Sequence, residues 1–178
     1  MKKYEFTGKT VVDAGWTMRE IRALKDFDDV KAGDLGGYIY NEKNLSQRGK
    51  CWVYPGSAVE NTARVTGNAK IRENSTVRNA AHVYGNAVIK NADIYTMAKV
   101  HGNAVVDGVE VARSDIFGNA RIEGHGIGCY IDSSCIICDD AYVYLESSHI
   151  LGKEIKGQTR YIRSKHYDDT LKSIEELK

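Results

Sequence analysis

Aliphatic residues recur along the middle of the chain at Val53, Val59, Val65, Ile71, Val77, Val83 and Ile89, six positions apart each time. The series continues through Ile94, Val100, Val106, Val111, Ile116 and Ile122 in steps of five or six. Two residues before most of these stands a small residue: Ala63, Ala69, Ser75, Ala81, Ala87, Ala92, Ala98, Ala104, Ser114 and Ala120. Side chains two apart on an extended chain point the same way. Each unit therefore predicts a very short strand, with a small and an aliphatic residue facing inward. Neighbours such as Arg64, Thr66, Lys70 and Arg72 face outward.

A longer repeat overlies the short one. Val65-Thr66-Gly67-Asn68-Ala69 returns as Val83-Tyr84-Gly85-Asn86-Ala87, Val100-His101-Gly102-Asn103-Ala104 and Ile116-Phe117-Gly118-Asn119-Ala120, at spacings of 18, 17 and 16 residues. Three short units make one turn, which predicts a three-sided parallel β-helix whose core is supplied by stacked copies. Units of five residues lose one at a corner. Corners are expected at Pro55-Gly56, Asn61, Gly67-Asn68, Asn74, Asn79, Gly85-Asn86, Asn91, Gly102-Asn103, Gly108 and Gly118-Asn119, because Gly and Asn tolerate left-handed backbone. Asn68, Asn86, Asn103 and Asn119 are expected to stack as a structural ladder, bonded amide to amide from coil to coil. The period breaks at Gly124-His125-Gly126-Ile127-Gly128, as a loop leaving the coil or a loosened turn. It resumes with Cys135/Ile137, Ala141/Val143 and Ser148/Ile150.

Over residues 51–156 this pattern resembles the hexapeptide-repeat proteins, and the resemblance implies an all-β, left-handed parallel β-helix. The hand comes from that resemblance and not from the spacing. Both ends of such a coil need capping. Residues 1–50 read as an N-terminal β cap and entry to the first coil: Thr17–Leu24 alternates as a strand, Lys2–Phe6 is placed to pair with it, and Val30–Ile39 forms a glycine-rich entry. Residues 157–178 read as a tail with a short C-terminal helix, with Asp168-Asp169 as its N-cap signal and Leu171, Ile174 and Leu177 at helical spacing. The segments Arg19–Phe27, Val30–Ile39, Asn44–Ser46 and Cys51–Tyr54 are similar to the opening of a family of phage- and prophage-encoded hexapeptide-repeat proteins, whose members carry labels such as transferase or polymer-forming protein.

Composition narrows the classes. The 178 residues suit one domain, and the net charge of +1, with acids and bases interspersed, argues against a dedicated nucleic-acid binder. Met-Lys-Lys-Tyr-Glu-Phe-Thr lacks the apolar stretch of a signal peptide, and no run approaches a membrane span, so a cytoplasmic location without membrane attachment is expected, in the host cell if the protein is phage-encoded.

Chemistry is less explicit. The best-known enzymes on the resembled fold are acyltransferases, which imply a histidine general base and an acyl-CoA in a groove between subunits of a trimer. His82, His101, His125 and His149 are the candidates. His101 follows inward Val100 and so points outward, in a column with Thr66, Tyr84 and Phe117. His82 lies on the same face in the adjacent column, with Arg64, Lys99 and Asp115. No dedicated carboxylate partner for His101 and no inserted covering loop are evident along the chain. The trimeric carbonic anhydrases on this fold imply three zinc-binding histidines, including two five residues apart, and no pair here has that spacing. Cys135-Ile-Ile-Cys138, with Cys129 and His125 nearby, suggests zinc only superficially: Cys135 takes an inward position and Cys138 then faces outward. No metal and no resident cofactor is expected.

The outward column of Tyr84, His101 and Phe117, flanked by His82 and Lys99, suggests an interface. Its simplest occupant is a second copy of the chain in a homotrimer; a host protein is the other. The leading expectation is a non-catalytic binding or scaffold protein of phage or prophage origin that binds and inhibits a component of host defence. The alternative is an acyl-CoA-dependent acyltransferase using acetyl-CoA, with His101 or His82 as base.

Overall fold

The computed structural model describes residues 2–13, 15–164 and 167–173. Among them there is no helix, and the chain winds as a parallel β-solenoid of about seven turns, consistent with a left-handed β-helix. Its three sides are sheets of nine, eight and six strands. The first side opens with three strands of the cap: β1 (Tyr4–Asp13), β2 (Trp16–Ala23) and β3 (Leu35–Ile39). It continues through coil strands from Ala58–Val59 to His149–Leu151. The second side runs from Trp52–Val53 to Thr159–Ser164, and the third from Arg64–Val65 to Glu154–Ile155.

The small and aliphatic positions of the repeat form the core. Val65, Ile71, Val83, Ile89, Val100, Val106 and Ile122 have no exposed surface, and neither do Ala63, Ala69, Ala87, Ala98 and Ala104. Neighbouring coils align these positions in direct register, as in Val65 beside Val83 beside Val100 beside Ile116. Each buried aliphatic contributes about 1.5–3 kcal/mol relative to an exposed one. No single coil could form a core from two or three such residues, so stability is shared between neighbours.

The five-residue units lose their residue at corners. Asn91, Gly108 and Arg113 turn their corners with one left-handed residue each, at φ of 44°, 69° and 46°, whereas Thr96 and Met97 both take positive φ at a six-residue unit. At the Gly-Asn corner the left-handed residue is the glycine and not the asparagine. Gly102 has φ +70°, and a Cβ there would sit 2.8 Å from the Gly118 carbonyl oxygen, so only glycine lets the coils approach.

The N-terminal cap follows the expected pairing and extends it. β1 pairs antiparallel with β2 from Tyr4 opposite Ala23 to Asp13 opposite Trp16, β2 pairs with β3, and β3 begins the parallel ladder against Ala58–Val59. The end of the core is plugged by Trp52, with Tyr4 and Phe27 packed edge-on at 6.3 and 5.4 Å between ring centroids. Lys3 is fully buried there and donates from Nζ to the Cys51 carbonyl at 2.7 Å.

The C-terminal helix is corrected. Tyr167–Ser173 is a strand, antiparallel to Thr159–Ser164, with Leu171 opposite Tyr161. Thr159–Ser164 would otherwise end the second sheet with unpaired backbone, and pairing satisfies it, while a short lone helix is marginal in water. Ile174 and Leu177 lie outside the described residues. The break at 124–128 resolves into an extended strand and a turn. Gly124 and His125 remain paired with Leu145 and Glu146, and the chain leaves the coil over Gly126–Gly128 with Ile127 93% exposed.

Candidate functional site

The third side carries the candidate site. Alternation places two outward columns on it: Arg64, His82, Lys99, Asp115 and Ile136 in one, and Thr66, Tyr84, His101, Phe117 and Cys138 in the other. The rings stack continuously. His82 and Tyr84 lie 4.5 Å apart and tilted, Tyr84 and His101 are parallel at 4.5 Å, and His101 and Phe117 are parallel at 5.0 Å. Repetition at one position per coil causes this stack, since parallel register sets neighbouring side chains one strand spacing apart. The stack half-buries all four rings.

Each histidine then makes one polar contact of its own. His101 Nε2 lies 3.1 Å from Asp115 Oδ1. A carboxylate oxygen accepts, so Nε2 carries a proton and the neutral ring keeps its lone pair on Nδ1. Asp115 is thus a carboxylate partner that is not evident along the chain. The acid comes from the adjacent column one coil later, which a linear scan does not bring beside the histidine. His82 Nε2 lies 3.1 Å from Thr66 Oγ1. Burial, and then the positive charges of Arg64, His101 and Lys99, push the His82 pKa below the ordinary histidine value. His82 thus remains neutral further into the acid range, but no carboxylate orients it.

A surface groove of about 370 Å³ runs along the Asp115 side of the pair, between Met97, Lys99, Arg113, Asp115 and Ile136, with Cys135 beneath. Its cause is the short corner at Arg113, which has one residue fewer than the corners before and after it. Met97, 65% exposed, forms one rim and Ile136 the other. Arg113 is turned toward Asp132, donating from Nε to Oδ1 at 2.9 Å. Lys99 has no ion-pair partner among the described residues.

The other expected residues fall elsewhere. His149 stacks on Tyr130 at 4.7 Å on the first side, and His125 lies tilted 5.4 Å from Tyr144 on the second. Neither joins the dyad. Asn68, Asn86, Asn103 and Asn119 line the corner between the third and second sides; each Nδ2 donates to the next Oδ1 at 2.9 Å, and Asn119 passes the chain to Asp140. Cys138 stands off the inner face as expected, yet it is only 6% exposed. It lies under Phe117 in the ring column, and burial raises its thiol pKa. Among the described residues no three His, Cys, Asp or Glu side chains are grouped to hold a metal. No helix there is long and apolar enough to cross a membrane.

No family model matches the chain. A 78-residue stretch is 37% identical to a protein of Escherichia coli (strain K12) named uncharacterized acetyltransferase YdcK. That stretch is 43% of this chain and 24% of the relative, so the chain spans about a quarter of the curated relative it matches.

Proposed function

We propose that the chain is an acyltransferase that uses an acyl-CoA donor, with His101 as general base and Asp115 as the residue that positions it. The observation that carries this reading is the His101–Asp115 contact at the edge of an open groove. Similarity to a protein named as an acetyltransferase favours this alternative over the leading expectation of a binding protein, and points to acetyl-CoA as the donor.

The groove suits such a donor. Met97 and Ile136 offer apolar rims for an aliphatic arm, and Lys99 offers a cation for its phosphates. When bound, the donor supplies an acyl group already activated as a thioester. His101 Nδ1 accepts the proton of the acceptor hydroxyl or amine as that atom becomes the nucleophile, and later returns a proton to the departing thiolate. Asp115 fixes the ring and stabilises the imidazolium between the two transfers. The ring column then packs against a second copy of the chain in a homotrimer, which excludes water from the dyad.

The test is twofold. Acetyl-CoA, binding the native state, is expected to raise the melting temperature. Coenzyme A release, followed with a thiol reagent across amine and sugar acceptors, is expected to require His101. No thermal shift together with no release sinks the reading.

A further inference from the structure

We propose a second ligand site, a nucleotide site in the groove between the N-terminal hairpin and the first coil, where a base lies against Trp16 and a phosphate sits between Lys43 and Arg64. The groove has a volume of about 360 Å³. Its walls come from three places far apart in sequence: Trp16 at the start of β2, Tyr40 to Asn44 just after β3, and Asn61 to Arg64 at the corner that leads onto the third side.

Each wall contributes a different chemistry. Trp16 meets Tyr40 edge to face, with centroids 5.1 Å apart and planes at 85°, yet remains 43% exposed. The contact holds the indole in place and leaves aromatic surface available for stacking. Lys43 and Arg64 flank it, both exposed, and neither has an ion-pair partner among the described residues. No carboxylate lines the groove among those residues. Asn61 donates from Nδ2 to Asn79 at 2.8 Å, while its Oδ1 is buried and accepts nothing within the protein. By contrast, the amide of Asn44 is fully used, donating to the carbonyls of Asn61 and Ala63.

The combination selects the ligand class. A neutral sugar leaves two cations unmatched. Inorganic phosphate leaves the aromatic wall unused. A nucleotide uses both: bases stack on aromatic side chains, and phosphates pair with lysine and arginine. The site stands independently of the acyltransferase reading, since none of its residues belongs to the dyad or its groove.

The experiment titrates the full chain with AMP, adenosine, inorganic phosphate and glucose 1-phosphate, read by tryptophan fluorescence and by calorimetry. Trp52 is 1% exposed, so a ligand-induced change in emission reports Trp16. Saturable AMP binding is expected, with each of the other three at least about tenfold weaker. Arg64→Gln and Trp16→Ala should each weaken AMP by about tenfold, and the arginine variant should keep the wild-type melting temperature. Coenzyme A ends in the same chemistry and forms a further arm. If it displaces AMP, the natural ligand is the nucleotide end of that cofactor; if it does not, the ligand is a free nucleotide; either supports the site. Absence of saturation at millimolar AMP, equal affinity for glucose 1-phosphate, or unchanged AMP affinity in both variants overturns it.

Discussion

His101 Nε2 and Asp115 Oδ1 meet at 3.1 Å although the two residues are not partners in the ladder. Asp115 is paired directly with Lys99, and His101 lies two residues beyond Lys99 on the same side of the coil. The contact is therefore diagonal, across two outward columns and one coil step. Phe117 supports it, stacked parallel on the imidazole and so limiting its rotation.

This geometry separates the roles of the two residues kinetically. His101→Ala should lower kcat by about a hundredfold to ten-thousandfold, the usual contribution of a positioned general base. Asp115→Asn keeps the shape and removes the charge that stabilises the imidazolium. It should lower kcat by less than the histidine variant and leave KM nearly unchanged. Steady-state rates of coenzyme A release, measured with variants of unchanged melting temperature, check this. A rise in KM alone for Asp115→Asn would assign that residue to substrate binding.

His82 gives a pH prediction with a defined sign. Its folded pKa lies below the ordinary value of 6.5, because of burial first and then the nearby positive charges. The unfolded chain therefore binds a proton more readily, and stability attributable to this group is present above pH 6.5 and lost as pH falls through the lower, folded value. His82→Gln should flatten the loss of melting temperature between about pH 7 and pH 5. A variant whose acid limb matches the wild type would show that other groups govern that range.

The solenoid itself was legible in the sequence because its signal repeats. A small residue two before an aliphatic one, at Ala69/Ile71, Ala87/Ile89 and Ala104/Val106, states the inward face at every coil. Outward neighbours are harder to read. Asp115 and His101 each occupied a recognised column, but only the diagonal reach of side chains across adjacent strands brings them together. A comparison of each outward histidine with acids two positions off its register partner would have found the pair. The groove at Trp16 joins three segments that no periodicity connects. Lys3 was missed because a lysine near a chain start reads as solvated, whereas here it is sealed under Phe27, with Nζ 5.4 Å from the ring centroid. The C-terminal strand was misread because Leu171, Ile174 and Leu177 satisfy a helical spacing, while the deciding term, the open edge of Thr159–Ser164, is tertiary.

The Gly-Asn corner predicts an order of damage. Gly85 has φ +71°, and a Cβ on it would lie 2.8 Å from the backbone nitrogen of Gly102. Asn86 is outside the left-handed region and contributes two exposed amide bonds of 2.9 Å, to Asn68 and Asn103. Gly85→Ala should therefore destabilise by about 1–3 kcal/mol from backbone strain alone, with the coil-to-coil clash added. Asn86→Ala should cost no more than about 1 kcal/mol. Urea unfolding of both variants measures the order. Equal midpoints would mean that the amide ladder holds the corner as much as the glycine stack does.

Assembly provides the last test. Tyr84, His101 and Phe117 form a flat aromatic column on the third side, and their mutual stacking leaves each ring only half-buried. A three-sided solenoid packed with two others along one side would cover such a column, and mass measurement in solution should then give about three chains. Tyr84→Asp combined with Phe117→Asp would place two charges in that contact, where desolvation is expensive. The double variant should dissociate to monomers while the solenoid persists, because neither side chain belongs to the inward core. It should also lose coenzyme A release if the neighbouring copy closes the dyad against water. A monomeric wild type refutes the trimer outright. An assembled double variant would instead move the contact to another side of the solenoid and leave the ring column open to solvent.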